Sequence, residues 1–172
     1  MTLIEAIVLG IVQGLTEFLP ISSSGHLVFM QHILKIEGNG NEFEVLVHIG
    51  TLASILVVFS NDIKLLFLDF KTKNNQSYIF FLFLASLPAA IIGIWFKDYF
   101  ELLFDDYLIV SKALLITGLI LVSSYFFKPR NKKHNLISSI LIGFFQALAI
   151  TPGISRSGMT ISCALLLGIN AK

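Results

Sequence analysis

The sequence predicts an all-α, polytopic integral membrane protein with inverted repeats. Transmembrane helices are joined in it by two re-entrant helical hairpins that meet near the bilayer midplane. Three observations lead there. Hydrophobic residues make up 55% of the chain and charged residues 13%, against roughly 45–50% and about 25% in ordinary soluble domains. Two stretches, Gln13–Leu27 and Gln146–Thr160, gather polar side chains, proline and glycine inside otherwise apolar sequence. Lys and Arg, finally, alternate between sparse and dense loops.

Apolar runs approaching the ~20 residues that span a bilayer predict three crossings: Val45–Phe59, Tyr78–Phe96 and Tyr107–Phe127. Pro88 and Gly93 lie inside the second, and Lys112 lies near enough to the end of the third to snorkel. Two other segments are expected to turn back. Thr2–Leu19 ends at Pro20 and is followed by Ser22–Leu34, while Leu136–Ile150 ends at Thr151-Pro152-Gly153 and is followed by Ile154–Ile169. Non-helical backbone at membrane depth is tolerated only where protein or a water-filled cavity surrounds it, so each reads as two helical arms joined at a buried tip.

Loop charge orients the segments. Segment 35–44 carries Lys35 and segment 97–106 carries Lys97, whereas 60–77 carries Lys64, Lys71 and Lys73, and 128–135 carries Lys128, Arg130, Lys132 and Lys133. By the positive-inside rule the loops run outside, inside, outside, inside. The first hairpin then hangs from the outer face and the second rises from the inner one. At an offset of 133, Gln13, Leu15, Ile21, Ser22, Ser24 and Gly25 match Gln146, Leu148, Ile154, Ser155, Ser157 and Gly158, while Pro20 and Pro152 miss by one. Broken-helix inverted repeats place binding sites at the midplane. The expected organisation is one membrane domain, 1–172. Its first repeat is 2–127 with hairpin 2–34, and a second hairpin, 136–169, opens a repeat whose C-terminal part is expected to be missing.

Cys163 stands alone, which excludes an internal disulfide and a cysteine metal site. Met1–Thr2 has no basic region ahead of the apolar run, so no cleavable signal is expected. A net charge of +1 without a basic, aromatic-rich face gives no nucleic-acid partner.

The two tips carry the chemistry. Gln13 and Glu17 share a helix face, and a carboxylate that deep in apolar sequence needs a proton or a cation. Ser22–Gly25 reads as a helix N-cap, whose free N–H groups and positive dipole end suit an anion, and Gly25 would let a ligand approach the backbone. Ser155-Arg156-Ser157-Gly158 repeats that arrangement and adds a guanidinium matched to phosphate oxygens. His26 follows the first tip directly. His48, isolated in a crossing, reads as a hydrogen-bonded packing residue. Glu17 would repel a phosphate, and a divalent ion between them removes the conflict, since hard cations prefer oxygen ligands. The residues thus predict a membrane-embedded, metal-assisted site for a phosphorylated lipid, with Mg²⁺ or Ca²⁺ held by Glu17 and Gln13.

Gln13-Gly-Leu-Thr-Glu17-Phe-Leu-Pro-Ile-Ser-Ser-Ser-Gly-His26 and Pro152-Gly-Ile-Ser-Arg156-Ser-Gly-Met-Thr160 resemble the two signature motifs of bacterial undecaprenyl-diphosphate phosphatases of the bacitracin-resistance type. The first motif is usually written with Glu or Gln, three residues, then Glu; here Gln13 takes the variable place. Ser24 stands where many members have threonine. The resemblance implies that Glu17 and His26 are catalytic, that Ser23 sits at the reacting phosphate and that Arg156 holds the diphosphate. Ser155, Ser157, Gly25 and Thr160 complete the substrate site. It also implies removal of the terminal phosphate of undecaprenyl diphosphate, recycling the carrier for cell-wall synthesis, in a multi-pass protein of the bacterial cytoplasmic membrane. Expected partners are the bilayer and the polyprenyl diphosphate lipid, and a homo-oligomer stays open. A polyprenyl-phosphate transporter or flippase is the rival from another class, and a non-catalytic lipid-phosphate binder a third.

Overall fold

A computed structural model describes residues 1–36, 42–70, 72–127, 130 and 132–169. Lys71 and Lys128, counted among the inner-loop charges, lie outside them. The described residues form α1 (Leu3–Thr16), α2 (Ser23–Ile33), α3 (Glu42–Val58), α4 (Ser60–Leu68), α5 (Lys73–Trp95), α6 (Lys97–Phe104), α7 (Tyr107–Ser124), α8 (Leu136–Leu148) and α9 (Arg156–Leu166). None of the described residues forms a β-strand, so the fold is all-α as predicted.

Two helices, over Asn75–Trp95 and Tyr107–Ser124, are long and apolar enough to cross a membrane. At 1.5 Å per residue the first spans roughly 31 Å, about the thickness of the hydrocarbon core. Only 6% of its apolar window is buried within the protein, which leaves that surface for lipid or for further helices. The predicted crossing at Val45–Phe59 falls on α3, whose 17 residues are too few to count as a span alone. α3 ends at Val58 and α4 departs at 65°. Phe59 makes the break at φ −94° and ψ 17°, with no proline or glycine to announce it. A third span exists only if this bent pair counts as one.

The pairs α1–α2 and α8–α9 correspond cap for cap. Thr2 caps α1 in a reciprocal box with Glu5, and Asn135 caps α8 in the same kind of box with Ser138; each box satisfies two backbone donors that the helix leaves orphaned. Ser22 then caps α2 through the Gly25 N–H, and Ser155 caps α9 through the Gly158 N–H. Beyond the far ends, Lys35 (φ 54°) and Gly168 (φ 79°) both turn left-handed. Ile36 and Ile169 close the two ends by donating to Gln31 and Ala164, the six-to-one bond of a Schellman turn. Each of these pairs lies 133 residues apart. α1 has 14 residues and α8 has 13, and this difference is why the two prolines miss register by one. Neither first arm is long enough to span ~30 Å alone.

α7 joins the two tips. The Thr117 hydroxyl donates to the Gly153 carbonyl at 2.8 Å and accepts from the Ser155 N–H at 3.1 Å. Val110 and Ala113 of α7, Leu27 of α2 and Cys163 of α9 are all buried, at 1%, 4%, 0% and 2% exposure, and α7 packs against both α2 and α9. Two glycines permit the closest approach. A Cβ on Gly25 would stand 2.7 Å from the Gly153 Cα, and one on Gly153 would stand 2.5 Å from the Val110 carbonyl, at a φ of +93° that L side chains rarely adopt. A side chain at Gly25 drives the tips apart, and one at Gly153 drives the second tip off α7. α5 and α8 pack in the same close way, with Gly143 against the Ala85 carbonyl beside Pro88.

Candidate active site

The two tips and α3 enclose a cavity of about 190 Å³, with Glu17, Ser23, Ser155, Arg156 and Ser157 on its walls. Glu17 is the C-cap of α1, so its carboxylate leaves the arm where the chain turns. Oε2 accepts the Gln13 amide at 3.1 Å and the hydroxyl of Ser23, and it faces Nε2 of His48 at 3.7 Å. Gln13 and Glu17 lie one turn apart, as the spacing predicts. Gln13 is only 1% exposed and stands behind Glu17 rather than on the cavity wall; its Oε1 has no hydrogen-bond partner.

The cavity is flanked by two helix N-termini. Ser22 and Ser155 each spend a side-chain oxygen on the N3 donor of their helix, leaving earlier N–H groups free. Ser24 lies 3.4 Å from Ser22 and Ser157 lies 3.3 Å from Ser155, so the two caps present the same paired hydroxyls. Arg156 is the first residue of α9 and is exposed. No carboxylate lies within ion-pair distance of its guanidinium among the described residues. Two positive helix ends and an unengaged guanidinium converge on one small cavity, an arrangement that holds anionic oxygens.

Other sequence-predicted residues fall outside it. His26 donates Nδ1–H to the Ser22 carbonyl at 2.7 Å, and its ring lines a separate, mostly apolar groove with Leu114 and Thr117. The space beside Gly25, expected to admit a ligand, is filled by the backbone of Gly153. Thr160 donates back to the carbonyls of Arg156 at 3.0 Å and Ser157 at 3.2 Å, which steadies the first turn of α9 behind Arg156.

His48 is the residue that sequence reasoning misses. It lines the cavity, and its Nδ1 is 2.7 Å from the Glu44 carbonyl one turn back. With Ser24, Ala149 and Arg156 it also lines a second, more apolar space of about 480 Å³ bounded by Ile49, Leu52 and Phe104. The polar cavity therefore opens towards a greasy one.

The donors present suit a hard divalent cation of the kind that binds through one or two carboxylates and completes its shell with phosphate and water. Glu17 faces the cavity and the Ser23 hydroxyl stands beside it, while the unpartnered Gln13 Oε1 is buried behind Glu17, off the cavity wall.

Comparison with known proteins gives the family. A family model described as bacitracin resistance protein BacA matches residues 6–172. The chain belongs to the BacA family. It is 42% identical over 176 residues to an undecaprenyl-diphosphatase of Bacteroides thetaiotaomicron, covering 99% of this chain and 67% of that protein. An undecaprenyl-diphosphatase of Alkaliphilus metalliredigens is 42% identical over 190 residues, covering 100% and 69%. One from Carboxydothermus hydrogenoformans is 42% identical over 172 residues, covering 98% and 64%. The chain thus spans about two thirds of the length of these BacA-family relatives. Family and apolar helices together make it a membrane protein.

Proposed function

We propose that this chain hydrolyses undecaprenyl diphosphate to undecaprenyl phosphate and inorganic phosphate, in a bacterial cytoplasmic membrane. The reading is carried by the meeting of Glu17, Ser23 and Arg156 in one cavity between two helix N-termini, within a family whose relatives bear that activity as their name. The diphosphate lies against Arg156 and the free N–H groups of the caps. Its isoprenoid chain leaves through the adjoining apolar space along α3.

In the reaction, an oxygen nucleophile forms a bond to the terminal phosphorus as the anhydride P–O bond breaks, and the lipid monophosphate departs with the bridging oxygen. Glu17 accepts the nucleophile's proton. Its contact with the Ser23 hydroxyl suits either direct attack by Ser23, whose phosphoserine a water then hydrolyses to return the free serine and release phosphate, or orientation of a water at the same place for direct attack. Glu17 would hold a divalent cation, which would supply neutralisation of phosphate charge, on which phosphoryl transfer depends. Gln13 fixes Glu17, or turns its unpartnered oxygen towards the ion. A role for His26 as base requires its ring to leave the Ser22 carbonyl and turn into the cavity.

In detergent, polyprenyl diphosphate incubated with the protein should release phosphate, release should stop with a chelator, and excess Mg²⁺ or Ca²⁺ should restore it. Full activity in chelator would remove the cation from the reading. Transport without hydrolysis, the rival from another class, predicts no phosphate at all and is disfavoured by the enzyme names of the relatives.

The matched caps support a further part of the reading, that the two helix pairs are inverted re-entrant hairpins meeting inside the bilayer. With Cys163 replaced by alanine, Lys132→Cys should react with impermeant maleimide only from the cytoplasmic side and Asp98→Cys only from the outer side. Labelling of position 132 from outside would refute the inverted arrangement.

A further inference from the structure

We propose that His48 and Glu17 share one divalent cation, bound by the imidazole Nε2 and a carboxylate oxygen. The proposal rests on the cation of the hydrolase reading, but not on its substrate.

The contact at Nδ1 decides the chemistry of the ring. A backbone carbonyl can only accept, so the 2.7 Å approach of Nδ1 to the Glu44 oxygen places the proton on Nδ1. That contact turns Nε2 to the cavity side of the ring, 3.7 Å from Glu17 Oε2. That separation is too long for a hydrogen bond. The Gln13 amide and the Ser23 hydroxyl donate to Oε2 from other sides, and no group of the protein joins it to Nε2, so the gap between the two atoms has room for a positive charge. Nδ1–H on a main-chain carbonyl is also how metal-bound histidines are commonly oriented. Two ligand bonds of about 2.0–2.2 Å each are together longer than the 3.7 Å gap, so one ion could reach both atoms.

Side-chain exposures of 39% for His48 and 27% for Glu17 keep both atoms within reach of the cavity, where phosphate oxygens and water fill the remaining positions. Other charged groups nearby are Arg156 at the start of α9, and Glu44 and Glu101 along the adjoining space. Arg156 disfavours a second cation and holds the anion that the first one neutralises. An imidazole ligand moves the preference from Mg²⁺ and Ca²⁺ towards Mn²⁺ and its neighbours.

The test uses Mn²⁺ alone, added to the full chain in detergent without lipid substrate and followed by pulsed electron paramagnetic resonance. Bound Mn²⁺ should show hyperfine coupling to one imidazole ¹⁴N. His48→Ala should abolish that coupling and weaken Mn²⁺ binding on the order of 10–100-fold, while His26→Ala keeps the coupling. His48→Gln, closer in shape, should lose the imidazole signal at unchanged helix content and melting temperature, which separates ligation from folding. The proposal is overturned if Mn²⁺ does not bind, if it binds without nitrogen coupling, or if the coupling survives His48→Ala and disappears in His26→Ala. A proton in the gap instead of a metal would give the second of these outcomes. Phosphate release from polyprenyl diphosphate is measured in parallel. Nitrogen coupling without release refutes the hydrolase reading and leaves the cation site standing; chelator-sensitive release without nitrogen coupling does the reverse.

Discussion

Replacing Glu17 by alanine should lower kcat/KM for phosphate release by about 10³-fold, within the range for loss of a positioned acid–base group. Gln13→Ala should cost on the order of tenfold, the lower end of what a supporting partner contributes. The difference follows from where the two side chains stand. Glu17 faces the cavity and gathers the Ser23 hydroxyl, the Gln13 amide and His48 around one oxygen. Gln13 is buried behind it, with a single hydrogen bond to the carboxylate and an unpartnered Oε1. Its removal frees Glu17 to move but leaves the charge in place. Melting temperatures of both variants separate catalytic loss from unfolding, because Gln13→Ala also opens a hole among buried residues. Equal losses in two folded variants would make the pair a joint carboxylate–amide site and refute Glu17 as its single strong group.

Much of this arrangement is legible in the residues. N-caps have a local chemical signature, so Ser22–Gly25 and Ser155–Gly158 announce helix starts from sequence alone. Their shared offset of 133 extends in the fold to both capping boxes and both left-handed termini. The bend at Phe59 is different in kind. The predicted crossing ends at Phe59, just before the polar Ser60-Asn61-Asp62, but nothing in those residues announces that a second helix, α4, leaves there at 65°. The short helices α4 and α6 are hidden for a related reason, since their charged and apolar residues mix as they do in loops.

The two histidines show the limit most clearly. His26 adjoins a motif and His48 does not, yet each donates to the carbonyl one turn back, at 2.7 Å. Identical local bonding leaves the outcome to the direction each helix face takes. α2 turns His26 towards α7, and α3 turns His48 towards Glu17. That direction is a tertiary property, and nearness along the chain carries no information about it.

Arg156→Ala should remove about 10³-fold from kcat/KM, as loss of an arginine does where it stabilises phosphoryl-transfer charge, and Arg156→Lys should recover only about tenfold of that. Arg156 begins α9 directly after the Ser155 cap, and its guanidinium has no carboxylate partner among the described residues. No internal ion pair has to break for it to bind phosphate, and its removal strands no buried charge, so the folded state should persist. Lysine restores the charge without the planar fork that matches two phosphate oxygens. The split between constants is informative as well. If Arg156 holds ground state and transition state equally, KM rises and kcat stays level; if it meets charge that develops during transfer, kcat falls. A position on a cavity wall shared with Glu17 and Ser23 favours the second outcome. A folded Arg156→Ala protein retaining more than about a tenth of wild-type kcat/KM would place the diphosphate outside the meeting point of the two tips.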